Sequence, residues 1–184
     1  MMFFFWLCIS AFDASAQNPF ITTWKTDNPG STNDNQIRIP ASSLGYNYTV
    51  DWGDGSSDVN VAGAITHTYA EAGTYTVSIS GDFPGIYFFG SGEASKIVSI
   101  EQWGDIQWGS MTSSYRTCVN MVNNASDAPD LSNVTSLSNT FYGATLFNGD
   151  LSNWDVSTIT NLGGTFNGAR AFNGDISSWD VSNV

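Results

Sequence analysis

The sequence predicts a mainly β chain in two parts: an antiparallel β-sandwich, then a solenoid of stacked coils with short strands and short helical turns. Three observations predict it. Alternating apolar and polar runs separated by Gly-rich turns occupy residues 36 to 92. A self-similarity with a period of 25 residues runs from about residue 97 to residue 184. The composition, 41% hydrophobic but only 12% charged, supplies packed cores without the Glu/Lys/Ala richness of helical proteins.

Charge narrows the function classes. Seventeen acidic residues against five basic ones give a net charge of −12. Such a polyanion has no electrostatic footprint for nucleic acid and is repelled by anionic lipid, so its charge reads as solubility outside the cell.

At the N-terminus, the apolar run from Met1 to Phe12 is followed by Ala14-Ser15-Ala16, a small-x-small cleavage pattern. The run is too short to span a bilayer, so residues 1–16 are expected to be a signal peptide cut before Gln17, with no membrane insertion afterwards. Cys118 is then the only cysteine left, which excludes an intrachain disulfide or a paired-cysteine metal site. It reads as a core thiol. Residues 17–35 read as an N-terminal linker or strand.

Within residues 36–92, Gln36-Ile37-Arg38-Ile39 alternates and is closed by Pro40. In the next run Tyr46, Tyr48, Val50 and Trp52 share one face, as in a strand with one buried side. Gly53-Asp54-Gly55 supplies a turn, and Gly73 introduces the alternating Thr74–Ile79. Short strands with Gly-rich turns and no helical period argue for an antiparallel sandwich.

Three linked motifs make this segment specific. Val50-Asp51-Trp52-Gly53-Asp54-Gly55-Ser56, then His67-Thr68-Tyr69, then Gly73-Thr74-Tyr75-Thr76-Val77 resemble the signature of PKD domains. The resemblance implies an immunoglobulin-like sandwich acting as a spacer or binding module in an extracellular protein. As architecture, Trp52 is expected to fill the core and Asp54-Gly55 to turn the chain, while Tyr69 or Tyr75 pins a corner through its hydroxyl. A catalytic role for His67, the single histidine, would need a nucleophile and an orienting acid beside it, and its place inside a structural motif makes architecture the expected role. Asp51, Asp54 and Asp58 could ligate calcium, but their spacing is not that of an EF-hand loop, and turn capping is the expected role.

From residue 97 onward, Asp105, Asp130, Asp155 and Asp180 recur every 25 residues, each followed by an aliphatic residue. Phe147-Asn148-Gly149-Asp150-Leu151-Ser152-Asn153-Trp154-Asp155-Val156-Ser157 returns as Phe172-Asn173-Gly174-Asp175-Ile176-Ser177-Ser178-Trp179-Asp180-Val181-Ser182. An earlier degenerate copy contributes Tyr115, Cys118 and Met121, slipped by about one residue. A fixed period in this range signals a solenoid of the leucine-rich-repeat kind, whose coils bury apolar faces only by stacking. Leu137 or Leu162, Phe141 or Phe166, and Phe147 or Phe172 are expected to point inward. The short strand around Asp155-Val156-Ser157 is expected to pair with its counterpart in the next coil.

These copies, Leu151 to Ser157 above all, resemble BspA-like leucine-rich-repeat surface proteins of bacteria over roughly residues 97–184. The resemblance implies attachment to cells, to host or matrix proteins, or to surfaces. A calcium-binding aspartate column is the alternative to turn capping. Unrelieved carboxylates stacked about 4.8 Å apart would repel one another, which favours capping at a solvated edge. Because the sequence ends as another Trp-Asp-Val-Ser motif is delivered, the array is expected to continue with further repeats.

The expected function is secreted or cell-surface adhesion to a protein or cell ligand, with the first module as spacer. The alternative is a carbohydrate-binding accessory module, in which some of the seven tryptophans stack on sugars. An enzyme is not expected: the only glutamates, Glu71, Glu93 and Glu101, lie in no recognisable catalytic context. No cofactor is expected beyond the calcium alternative.

Overall fold

A computed structural model describes residues 17–41 and 45–184, so the expected signal peptide lies outside the described residues. Among the described residues eight strands appear in chain order: β1 (Phe20–Lys25), β2 (Gln36–Ile39), β3 (Asn47–Asp51), β4 (Ser57–Val61), β5 (Ile65–Thr68), β6 (Thr74–Asp82), β7 (Ile97–Gln102) and β8 (Val122–Asn123). One sheet has the order β4-β3-β6-β1-β7-β8, and β2 pairs with β5 in a second, smaller sheet. The chain is mainly β, and no helix occurs among the described residues. The short helical turns expected of the second module are therefore replaced by non-helical turns.

The sandwich core follows from strand alternation. β3 buries Tyr48 and Val50, β6 buries Val77 and Ile79, and β2 buries Ile37 and Ile39 against them. β1, in the segment read as a linker or strand, lies between β6 and β7 in the sheet. It buries Phe20, Thr22 and Trp24, and Thr22 Oγ1 accepts the Trp24 indole N–H at 2.9 Å.

β7 carries the connection to the second part. It runs antiparallel to β1 on one side and parallel to β8 on the other, where Ser99 meets Val122 and Ile100 meets Asn123. The segment from residue 97 thus belongs to the sandwich sheet as well as to the repeats. The two parts also share one apolar interior. Phe20 and Trp103 stack at 5.8 Å, and Trp103 meets Trp154 edge-to-face at 5.2 Å.

Beyond β8, successive 25-residue segments stack in register. Leu137, Asn139, Phe141 and Gly143 donate their N–H groups to the carbonyls of Asn161, Gly163, Thr165 and Asn167 at 2.7–3.0 Å. Ser113, Tyr115 and Thr117 donate likewise to Ser138, Thr140 and Tyr142. The intervening N–H groups bond back within their own segment, Thr140 to the Leu137 carbonyl, Tyr142 to the Asn139 carbonyl and Ser138 to Ser136 Oγ. Every second N–H therefore reaches the next coil while its neighbours close turns.

This pattern relocates the cross-coil pairing. Asp155-Val156-Ser157 forms no strand; it opens a turn, and the bonds between coils run through residues 137–143 and 161–167. The physical reason is backbone handedness. Ser113, Asn139 and Gly164 form one column of positive φ (58°, 55° and 70°), and Thr117, Gly143 and Gly168 form another (61°, 69° and 77°). These left-handed residues turn the chain at each step and prevent both a regular strand and a helix.

Candidate binding surface

The PKD-like motif residues assemble as architecture. Trp52 is fully buried and its indole N–H donates to Asp58 Oδ2 at 2.8 Å. Gly53 and Gly55 have φ of +76° and +89°, and a side chain at Gly53 would run into the Thr76 carbonyl oxygen. The Tyr69 hydroxyl donates to the Trp52 carbonyl at 3.0 Å, and the Tyr75 hydroxyl donates to the Glu71 carbonyl at 2.9 Å. The Gly73 N–H donates to Thr26 Oγ1, tying that turn to the end of β1.

His67 is packed rather than presented. Its ring stacks on Trp52 at 4.6 Å and meets Tyr69 edge-on at 4.5 Å, with Nε2 2.9 Å from Asp54 Oδ2. Asp54 also accepts the Ser56 hydroxyl and N–H, and these bonds, with His67 next, hold its pKa at about 2. Asp51 accepts the Gly53 N–H at 2.9 Å. Asp51, Asp54 and Asp58 thus each serve a separate partner.

The aspartates of the repeats divide in the same manner. Asp130, Asp155 and Asp180 each accept the N–H of the residue two positions on, Ser132, Ser157 and Ser182, at 3.0 Å. Asp105 departs from the column: its carboxylate accepts the Asn18 backbone N–H at 2.8 Å and so clamps the N-terminal segment instead of capping a turn. Asp127, which periodicity does not single out, caps the Trp103 and Gly104 N–H groups at 2.8–3.1 Å. No group of three or more His, Cys, Asp or Glu arranged to hold a metal ion occurs among the described residues.

The aromatic columns are interior. Phe141 stacks on Phe166 at 5.7 Å, Phe147 on Phe172 at 5.9 Å, and Trp154 on Trp179 at 6.3 Å. Leu137, Phe141, Phe147 and Trp154 are buried, whereas Leu162, Phe166, Phe172 and Trp179 in the last coil are partly buried. Cys118 is fully buried, and desolvation raises its thiol pKa well above the ordinary value. Among the described residues the tryptophans therefore offer no open sugar platform: Trp24, Trp52, Trp103, Trp108 and Trp154 are buried, and Trp179 is half-covered.

The exposed aromatic surface lies elsewhere, at the seam between the sandwich and the repeats. In the segment 86–89, Ile86 and Phe88 are buried while Tyr87 and Phe89 stand 40% and 47% exposed. The segment is pinned on both sides, by Tyr87 N–H to the Pro40 carbonyl and Phe88 N–H to the Ser114 carbonyl, at 2.8 and 2.9 Å. Tyr87 and Phe89 meet edge-to-face at 6.2 Å, and Arg116 from the first coil lies over the Phe89 ring at 4.3 Å and over Tyr142 at 4.4 Å. Beside Tyr87 runs an open groove of about 530 Å³, bordered by Pro84, Gly109, Ser110 and Thr112. Sequence reading missed this surface because Ile86-Tyr87-Phe88-Phe89 is apolar throughout, so alternation cannot separate its two faces.

No helix among the described residues is long and apolar enough to cross a membrane. No curated protein and no solved structure matches the chain. Two family models match it in succession, the PKD domain over residues 20–82 and the family described as Mycoplasma protein of unknown function, DUF285, over residues 109–184, a pair consistent with a surface or extracellular protein.

Proposed function

We propose that this chain is a secreted or cell-surface attachment protein without enzymatic activity. Its second part is a leucine-rich-repeat-type solenoid of the BspA-like kind, and that solenoid's outer wall binds a protein or cell ligand. The PKD-like sandwich holds the array at a fixed orientation. The observation that carries this reading is the ladder of N–H bonds from Leu137, Asn139, Phe141 and Gly143 to the next coil, which builds a continuous wall from repeated segments. Repetition suits attachment because each added coil extends one contact surface without a new core. The two family models support the extracellular setting.

The test presents the immobilised protein in parallel to whole cells, extracellular matrix proteins and a glycan array. Retention of cells or of a matrix protein is the expected result, weakened by charged substitutions at the wall positions Thr112 and Asn161. Failure to retain any of them contradicts the proposal, as does turnover of a polysaccharide.

A second reading, a carbohydrate-binding accessory module, is favoured by one observation: the exposed, rigidly backed rings of Tyr87 and Phe89. Selective retention of glycans, with no protein or cell bound, supports that reading over the first.

A further inference from the structure

Among the exposed features, the Arg116 guanidinium combines order with an unmet bonding demand. Its central carbon lies over two rings, Phe89 at 4.3 Å and Tyr142 at 4.4 Å. Its Nε is buried without a hydrogen-bond partner, and none of its nitrogens meets a protein acceptor or a carboxylate among the described residues. In a chain with seventeen acidic residues and five basic ones, an unpaired arginine at an exposed aromatic seam calls for a partner. A guanidinium held by two rings still offers its outer N–H groups to a ligand. Those groups suit a planar carboxylate taking two parallel hydrogen bonds.

The surroundings narrow what carries the carboxylate. Next to Phe89 the Tyr87 ring is exposed, and beyond it lies the groove lined in part by Ser110 and Thr112. A peptide would dock there by adding a strand or by burying side chains in pockets. The backbone edge is already used, since the Gly109 and Ser110 N–H groups donate to the Pro84 carbonyl and the Phe88 N–H to the Ser114 carbonyl. Exposed ring faces, hydroxyls and a single guanidinium instead match a sugar ring that presents C–H groups on one face and a carboxylate at its rim.

We infer that Tyr87, Phe89 and Arg116 form a binding site for a uronic-acid-containing glycan. The sugar ring packs on Tyr87, and the carboxylate of the same or the adjoining residue takes the free edge of Arg116. Tyr142 and Phe89 are positioning residues that fix the guanidinium plane. The inference rests on the second, carbohydrate-binding reading and gives it a ligand class.

Calorimetric titration of the protein with a linear oligogalacturonate tests it, with the fully methyl-esterified oligosaccharide and polyglutamate as comparisons. The free acid is expected to bind, the ester to bind at least about tenfold more weakly, and polyglutamate not at all, because the lost charge-assisted pair is worth that factor or more. Arg116→Gln and Tyr87→Ser should each weaken binding about tenfold or more. Tyr87 is exposed, so Tyr87→Ser leaves the melting temperature unchanged and separates binding from folding. Equal affinity for acid and ester, tighter binding of polyglutamate, or absence of binding by any uronate overturns the inference. If uronates fail while neutral glycans are still retained, this site assignment falls and the carbohydrate-binding reading stands.

Discussion

The Trp103 indole meets the Trp154 indole edge-to-face at a centroid distance of 5.2 Å. Trp103 follows β7, and Trp154 belongs to the repeated Trp-Asp-Val-Ser motif two coils later. Both are buried, and Phe20 of β1 also stacks on Trp103. One interior therefore serves sandwich and repeats together. Trp103→Ala should cost about 3–5 kcal/mol, the range for truncating a fully buried aromatic. Denaturant unfolding followed by circular dichroism and by fluorescence should give a single coincident transition for the wild-type chain. Two separated transitions contradict a shared core.

Thr117 occupies the left-handed position that Gly143 and Gly168 hold in the later coils, at φ of 61° against 69° and 77°. A β-branched residue there is strained, while glycine is not. Thr117→Gly should stabilise the protein by about 0.5–1 kcal/mol, and Gly143→Thr should destabilise it by about 1–2 kcal/mol. Thermal melts check both signs. A loss of stability in Thr117→Gly contradicts the equivalence of these positions.

Asp54, Asp130, Asp155, Asp175 and Asp180 all have pKa values below the ordinary 3.8, through hydrogen bonds from Ser56, Ser132, Ser157, Ser177 and Ser182. A depressed carboxylate contributes stability that is complete above the unfolded value and lost as pH falls through the folded one. The melting temperature should stay nearly level down to about pH 5 and drop between about pH 4 and pH 2, the lower limit set by Asp54. A level profile down to pH 2 contradicts these capping bonds.

Lys96 and Glu93 are both fully buried and hold the same loop from opposite sides. Lys96 Nζ donates to the Thr32, Asn33 and Gln36 carbonyls and to Thr32 Oγ1 at 2.8–3.2 Å, while Glu93 accepts the Ser31 and Thr32 N–H groups at 2.9 Å. Lys96→Met leaves the Thr32 carbonyl without its donor, while the Asn33 and Gln36 carbonyls keep the Gln36 N–H and the Thr32 hydroxyl, and should cost about 1–3 kcal/mol in denaturant unfolding. A cost under about 0.5 kcal/mol, the range of ordinary surface changes, contradicts the cradle.

Legibility in the sequence followed physical signal strength. The 25-residue period announced stacked coils because each coil reuses the same inward Phe and Trp positions. The PKD-like motif placed Trp52, Tyr69 and the Gly53–Gly55 turn because those residues are confined by core volume and by positive φ. β1 was read only as linker or strand, since its inward Thr22 looks polar until Trp24 is seen donating to it. β4 carried no alternation because Ser57, Asp58, Val59 and Asn60 are all exposed. Lys96 and Glu93 were invisible as core residues, because charged side chains are buried only when tertiary partners surround them. The Arg116 site arises from residues 87, 89, 116 and 142, which come together only when the first coil packs on the sandwich.

The most direct test of the stacked-coil account is native-state amide hydrogen exchange of the whole chain. The account predicts strong, collective protection of the Tyr115, Leu137, Asn139, Phe141 and Gly143 amides, which donate to the next coil. Exchange of these amides at the rate of an unstructured chain would contradict it.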